Sequence, residues 1–134
     1  SIRISTNSFI EEWHRAYYRP EDYDISTIRD SLSAASDNGL YTQVNYLVFP
    51  GITDLEAEVE ALIKTCSSTG VHVIQMKNLC IDPDLYIKTL PNIDKKGDAI
   101  GMKKLLDLIK KELPNVAIKY FNRPKNEWHI DPKI

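Results

Sequence analysis

The sequence predicts an α/β fold in which a parallel sheet of about four strands carries helices on its outer side. Runs rich in apolar, β-branched and aromatic residues occupy positions 2–7, 40–49, 71–76 and 116–121. Segments of helical periodicity lie between them, and this alternation is typical of parallel sheets. Two arrangements fit the pattern, a doubly wound sheet and an arc of a (β/α) barrel. Because a complete barrel needs about 250 residues, this chain would form about half of one.

Length and composition limit the function. The 134 residues suit a single domain, 1–134, and 43% of them are hydrophobic. The 17 lysines and arginines do not exceed the 19 acidic residues, so nucleic acid is not an expected partner. We expect no membrane span, because no apolar run approaches about 18 residues. Cys66 and Cys80 lack metal-ligand spacing and read as reduced thiols of a cytoplasmic protein.

The first half of the chain contains two predicted helices. The strand at 2–7 is followed by a short helix over 9–18, which Pro20 ends. Apolar residues then recur at helical spacing from Ile25 to Ala35, and Gly39 is the expected stop. Since the chain begins at Ser1 almost inside a strand, we expect it to be part of a longer protein.

The second half repeats the pattern. A helix is predicted to begin at a capping box of Thr53 and Glu56 and to end at Gly70, about 31 residues after Gly39, which is a βα repeat length. The last helix ends at Pro114. The segment 78–98 follows the end of a strand, where loops carry function in such folds, although a plain surface loop with some 3₁₀ structure is nearly as good an interpretation.

Polar residues embedded in the strands are the main candidates for chemistry. Ser5 and Asn7 share parity, Asn45 and Gln75 each interrupt an apolar run, and Lys77 with Asn78 ends the second of these runs. Buried amides are costly without partners. The pattern therefore indicates either a polar small-molecule site at the carboxyl ends of the strands or an internal hydrogen-bond network between the strands.

Arginine and histidine residues give weaker signals. Arg19, in the loop after the first helix, would suit a carboxylate or phosphate ligand, but an ion pair with a neighbouring acidic residue (Glu21, Asp22 or Asp24) is the commoner situation. His14 on an aromatic helix and His72 in an apolar strand are both predicted to be structural.

Several stretches resemble the radical S-adenosylmethionine (SAM) enzymes. RISTNS with the later YYRP resembles their fourth βα unit, and VNYLVFPGITDLEAEVEAL and VHVIQMKNLCIDPDLY are similar to the fifth and sixth. The resemblance covers roughly residues 2–121. It implies that the chain is the C-terminal portion, about strands 4 to 7, of a partial (β/α)₆ barrel, with a small-molecule substrate that the sequence does not identify.

The resemblance also implies a set of SAM contacts. Ser5 and Asn7 correspond to contacts with the ribose or the methionine amine, and Arg19 to a partner of the SAM carboxylate. The implied contacts around adenine are Asn45 and Leu47 on the fifth strand and Gln75, Lys77 and Asn78 at the sixth.

The three-cysteine motif C-x₃-C-x₂-C of these enzymes, which binds a 4Fe-4S cluster, is missing from the sequence. We therefore expect SAM and the cluster in the parent enzyme and neither in this chain alone, which would be inactive and has no assigned catalytic residue. The missing half of the barrel is then an expected partner, and the open edge of the strand at 2–7 predicts self-association.

Two other interpretations remain open at this point. The chain would be a self-contained, non-catalytic α/β module that binds a ligand or a protein, or a fragment of another barrel enzyme such as an aldolase-like lyase. The second of these needs a lysine or an acid at a strand end, and Lys77 is the candidate.

Overall fold

The computed structural model describes residues 1–119, which form a four-stranded parallel sheet and five α-helices. The strands are β1 (Ile2–Thr6), β2 (Thr42–Val48), β3 (Val73–Asn78) and β4 (Ala117–Lys119). The helices are α1 (Glu11–Tyr18), α2 (Ile25–Asp37), α3 (Glu56–Thr69), α4 (Pro83–Thr89) and α5 (Met102–Glu112), and a 3₁₀ turn covers Ile93–Lys95. None of these helices is long and apolar enough to cross a membrane.

The strands follow one another across the sheet in chain order, β1-β2-β3-β4, and every pair is parallel. Because parallel crossovers are right-handed, a strand order without reversal puts the helices that pack on the sheet, here α2, α3 and α5, on the same face. The sheet is therefore singly wound, as an arc of a (β/α) barrel is, and the predicted α/β fold with outer helices is confirmed. Within the described residues β1 pairs only with β2 and forms one edge.

The main hydrophobic cluster lies between the sheet and helices α2, α3 and α5. Val44 and Tyr46 of β2 pair in register with Ile74 and Met76 of β3, and all four are buried. Leu62 of α3 packs in the same cluster and is fully buried. Each such side chain contributes about 1.5–3 kcal/mol through removal of apolar area from water.

A second hydrophobic cluster closes the carboxyl end of the sheet. Its buried members are Trp13, Ile52, Leu55, Tyr86 and Leu90. They come from α1, from the β2–α3 loop and from α4 with the residue that follows it, so this cluster is built by connections rather than by strands. The segment that we expected to be a loop with some 3₁₀ structure thus contains a helix, because Asp82 accepts hydrogen bonds from the first-turn N–H groups of Asp84 and Leu85.

The helix ends agree with the sequence prediction better than the helix starts. Gly39 and Gly70 have φ of 75° and 71°, so both adopt the left-handed conformation predicted for helix stops. The predicted capping box is wrong, because α3 begins at Glu56 after Leu55 and no side chain caps it. The Thr53 hydroxyl instead accepts a hydrogen bond from Phe49 N–H at 2.8 Å.

The ends of the last two predicted strands also need correction. β3 begins at Val73, so His72 precedes the strand and is exposed instead of lying inside it. β4 ends at Lys119 among the described residues, and the rest of the predicted run, 120–121, lies outside them together with the remaining tail.

Candidate ligand-binding site

A row of polar side chains crosses the face of the sheet opposite α2, α3 and α5, which we call the helix-free face with reference to residues 1–119. Ser5 of β1 pairs with Asn45 of β2, which pairs with Gln75 of β3. Since Val44 and Tyr46 point into the main cluster, the alternation of a strand turns Asn45 and its paired neighbours to the opposite face. We call Ser5, Asn45 and Gln75 the polar row. Neighbouring members are about 5 Å apart along the sheet, the usual strand spacing.

Hydrogen bonds connect Asn45 of the polar row to Ser5 and to Gln43. Gln43 Nε2 donates to Asn45 Oδ1 at 2.8 Å, and Asn45 Nδ2 donates to Ser5 Oγ at 3.5 Å. The second distance is at the limit of a hydrogen bond. Ser5 is exposed, and Asn45 and Gln75 are half-buried. Gln43 and Val73, which share this parity, are buried, so the face is only partly open. The row therefore combines features of both interpretations, an internal network and a surface that a ligand can reach.

The next residues toward the carboxyl end extend this face. Leu47 pairs with Lys77 and has the parity of Asn45, so an apolar side chain and an exposed ammonium group lie one step beyond the polar row. Asn78 pairs with Val48, which is a member of the main cluster, and so has the opposite parity. The structure therefore groups Leu47 and Lys77 with the row and does not group Asn78 with it.

Asn7 is separated from the polar row. It follows β1 and is buried, with Nδ2 donating to Trp13 O at 3.2 Å and to the Tyr86 hydroxyl at 3.1 Å. Its Oδ1 has no hydrogen-bond partner among the described residues. Asn7 thus links β1 to the second hydrophobic cluster, and one buried acceptor is left over, a situation that costs about 1–3 kcal/mol.

Arg19 also lies apart from the row. It caps α1 in the left-handed conformation, with φ of 48°, and is exposed. Its guanidinium makes no ion pair or hydrogen bond within residues 1–119. Asp24, one of the acidic partners considered from the sequence, caps α2 instead by accepting from Thr27 N–H. The role of Arg19 as a carboxylate partner stays a prediction.

The sequence analysis missed a buried carboxylate beside the end of β1. Glu58 is 1% exposed and accepts hydrogen bonds from the Ser8 hydroxyl, Phe9 N–H and the Tyr46 hydroxyl. Burial raises the pKa of Glu58 to about 7, although these hydrogen bonds work in the opposite direction. Helical spacing could have revealed it, because position 58 lies three residues after Leu55 and four before Leu62, both buried.

The histidines have structural surroundings. His14 is buried and stacks on Tyr18 with ring centroids 5.0 Å apart, and burial lowers its pKa. Its Nδ1 has no hydrogen-bond partner among residues 1–119, so its polar groups are not all satisfied. His72 Nδ1 accepts from Thr42 N–H at 3.1 Å, which ties the starts of β2 and β3 together.

The two cysteines do not form a metal centre. Cys66 is buried in α3, where burial raises the pKa of its thiol to about 12, and Cys80 is exposed in the loop after β3. In the part of the chain that the structure describes, no three Cys, His, Asp or Glu residues are grouped as metal ligands. This donor set does not fit a 4Fe-4S cluster, which is typically held by cysteine thiolates.

Comparisons of the chain with protein-family models, with curated proteins and with solved structures find no match.

Proposed function

We propose that this chain is the C-terminal part of the barrel of a radical SAM enzyme and that its helix-free face contributes to the SAM site. The observation that carries the proposal is the polar row, Ser5–Asn45–Gln75, set in register across three parallel strands on the face opposite the helices. In α/β folds ligands bind at the carboxyl ends of parallel strands. The polar row lies at mid-strand, and Leu47 and Lys77 extend it toward those ends. The choice of SAM as the ligand comes from the sequence resemblance.

The described residues fit the nucleoside part of SAM. A hydroxyl from Ser5 and an amide from Asn45 match the hydrogen-bonding groups of ribose and of the adenine edge. Leu47 offers apolar contact beside them, and Lys77, one of the implied adenine contacts, lies on the same face. When bound in the parent enzyme, SAM would supply radical chemistry, whereas these side chains would hold and orient it.

The cluster that such chemistry needs does not fit this chain. Cys66 is buried within a helix with its thiolate disfavoured, and Cys80 lies alone in a loop. In the proposal, the three thiolates come from another part of the parent protein. From the sequence we expected no bound SAM in the chain alone; the polar row leads us to propose instead that the chain binds the nucleoside weakly and does not react.

A binding measurement on the 134-residue chain tests this function. SAM is titrated into ¹⁵N-labelled protein, and the side-chain amide signals of Asn45 and Gln75 are expected to shift. Asn45→Ala should weaken binding about fivefold, the value of one hydrogen bond of about 1 kcal/mol. Asn115→Ala, an exposed asparagine just before β4 and thus at the other end of the strands, is the matched control.

Two results of the titration would contradict the proposal. If SAM shifts no signal on the helix-free face, or if Asn45→Ala and Asn115→Ala bind equally, the proposal is wrong. The Gln43–Asn45 hydrogen bond of 2.8 Å would then favour the other interpretation, a non-catalytic module whose polar row serves its own sheet.

A further inference from the structure

Glu58 joins three parts of the molecule through one carboxylate. It lies in the first turn of α3, and Oε1 accepts from Phe9 N–H at 3.0 Å and from the Tyr46 hydroxyl at 2.6 Å. Oε2 accepts from the Ser8 hydroxyl at 2.8 Å. Ser8 and Phe9 belong to the loop between β1 and α1, so the carboxylate fixes this loop against β2 and α3.

We propose that Glu58 is a positioning residue whose protonation switches the β1–α1 loop between two hydrogen-bond arrangements and so regulates the ligand site. The loop leaves the carboxyl end of β1, two residues beyond Ser5 of the polar row, and begins with Asn7. The effect on ligand binding rests on the proposed function, whereas the switch in the loop does not.

The two arrangements follow from the donors around the carboxylate. All three partners donate to the ionised form and occupy three of its roughly four lone-pair sites, so a proton can be added but, being buried, needs an acceptor of its own. Oε1 has two donors and Oε2 has one, so the proton is placed on Oε2 and donates to Ser8 Oγ. Ser8 Oγ has two lone pairs and uses one to accept from Ile10 N–H at 2.9 Å, so it can accept the new hydrogen bond with the other. Its own hydrogen, which pointed at Oε2, must then turn to another acceptor. The change is therefore concentrated at Ser8.

The surroundings leave Glu58 as the group that ionises near neutral pH. The titratable groups packed around it and Tyr46 are Tyr46 of β2, Tyr86 of α4 and Cys66 of α3. Burial raises the pKa of Tyr86 and Cys66 to about 12 and that of Tyr46 well above its ordinary value, so all three are neutral. Within residues 1–119, no Lys, Arg or His pairs with the carboxylate. Its burial and lack of a counter-charge bring the pKa to about 7.

A pH titration by NMR tests the switch without any ligand. Between about pH 5.5 and 8.5, the Glu58 side-chain carbon and the Ser8 and Phe9 amides are expected to share one midpoint near neutrality. In Glu58→Gln the side-chain nitrogen can take the place of Oε2 and donate to Ser8, as the protonated acid does. This variant should lose the transition and keep the low-pH signals of the wild type.

Glu60→Gln, on the same helix and exposed, is the control and should keep the transition. If the Glu58 carbon titrates near its ordinary 4.5, or if the Ser8 and Phe9 amides do not follow it, the switch is wrong. The wild-type titration decides this point even if Glu58→Gln does not fold.

The regulatory part is measured separately, by SAM affinity at about pH 6 and pH 8. We expect a difference of about fivefold in the wild type and none in Glu58→Gln. Equal affinities at the two pH values would overturn the regulation while leaving the function standing. Absence of SAM binding at both would overturn the function and the regulation and leave the loop switch standing on its own titration.

Discussion

The two faces of the sheet are made by the same strands and have opposite character. On the helix-covered face, Val44, Tyr46 and Ile74 are completely buried in the main cluster. One residue further along β2 and β3, Asn45 and Gln75 are half-buried and polar. Since side chains of a strand alternate between faces, one face can supply most of the stability. The other face is buried at Gln43 and Val73 and is accessible at the polar row.

The largest expected effect comes from the covered face. Leu62→Ala should lower the free energy of unfolding by about 2–5 kcal/mol, because it removes a fully buried side chain and leaves a cavity. Urea unfolding measures the change. Leu85→Ala is the matched control, since Leu85 is 57% exposed and should change stability by less than about 0.5 kcal/mol. Equal effects would show that the main cluster is not the stabilising one.

Glu58 of α3 contacts both β2 and the β1–α1 loop. We expect its ionisation to make the free energy of unfolding depend on pH. Its folded pKa of about 7 lies above the ordinary 4.5, so between these values the folded state binds more protons than the unfolded state. The free energy of unfolding should therefore fall as pH rises from about 4.5 to 7, by about 3 kcal/mol from this group.

The comparison of two variants isolates that contribution from other titrating groups. Glu58→Gln should remove the fall in stability, whereas Glu60→Gln should retain it. Thermal or urea unfolding at several pH values gives the measurement. A wild-type fall that persists in Glu58→Gln would assign the pH dependence to a different group.

A smaller effect is expected in the second hydrophobic cluster. Tyr86→Phe removes the hydroxyl that accepts from Asn7 Nδ2 at 3.1 Å, so stability should fall by about 1 kcal/mol. Tyr17→Phe is the control, because Tyr17 packs edge-on against Tyr86 at 6.0 Å but its hydroxyl makes no hydrogen bond among the described residues. If both variants lose the same stability, the Asn7 contact contributes nothing measurable.

Local patterns were sufficient for the four strands, for every helix except α4 and for the parity of the polar row. Alternation is a property of each strand, so Asn45 and Gln75 stood out as polar positions in apolar runs without knowledge of their neighbours. The register that aligns them with Ser5 depends on strand pairing, which the sequence does not state. Residues close in sequence can also have different surroundings. Ser5 is exposed on the helix-free face, whereas Asn7 is buried and donates a hydrogen bond to the Tyr86 hydroxyl.

The hydrogen-bond partners of polar side chains were not predictable from local patterns where several partners compete. Thr53 and Glu56 have the spacing of a capping box, but the Thr53 hydroxyl accepts from Phe49 N–H and stabilises the turn before the helix. Likewise, Glu58 occupies an apolar helical position because its three donors come from β2 and from the β1–α1 loop. Which donor a side chain meets is decided by tertiary contacts.

The smallest effect on stability is expected on the open face, at Asn45. The side chain is half-buried, and one of its hydrogen bonds, to Ser5, is 3.5 Å long. Asn45→Ala should therefore lower the free energy of unfolding by less than about 1 kcal/mol, well below the effect of Leu62→Ala, while weakening SAM binding about fivefold. Urea unfolding and NMR titration of the same variant measure the two quantities. A loss of stability as large as that of Leu62→Ala would mean that the polar row is part of the framework, because a side chain needed for folding is not free to serve a ligand.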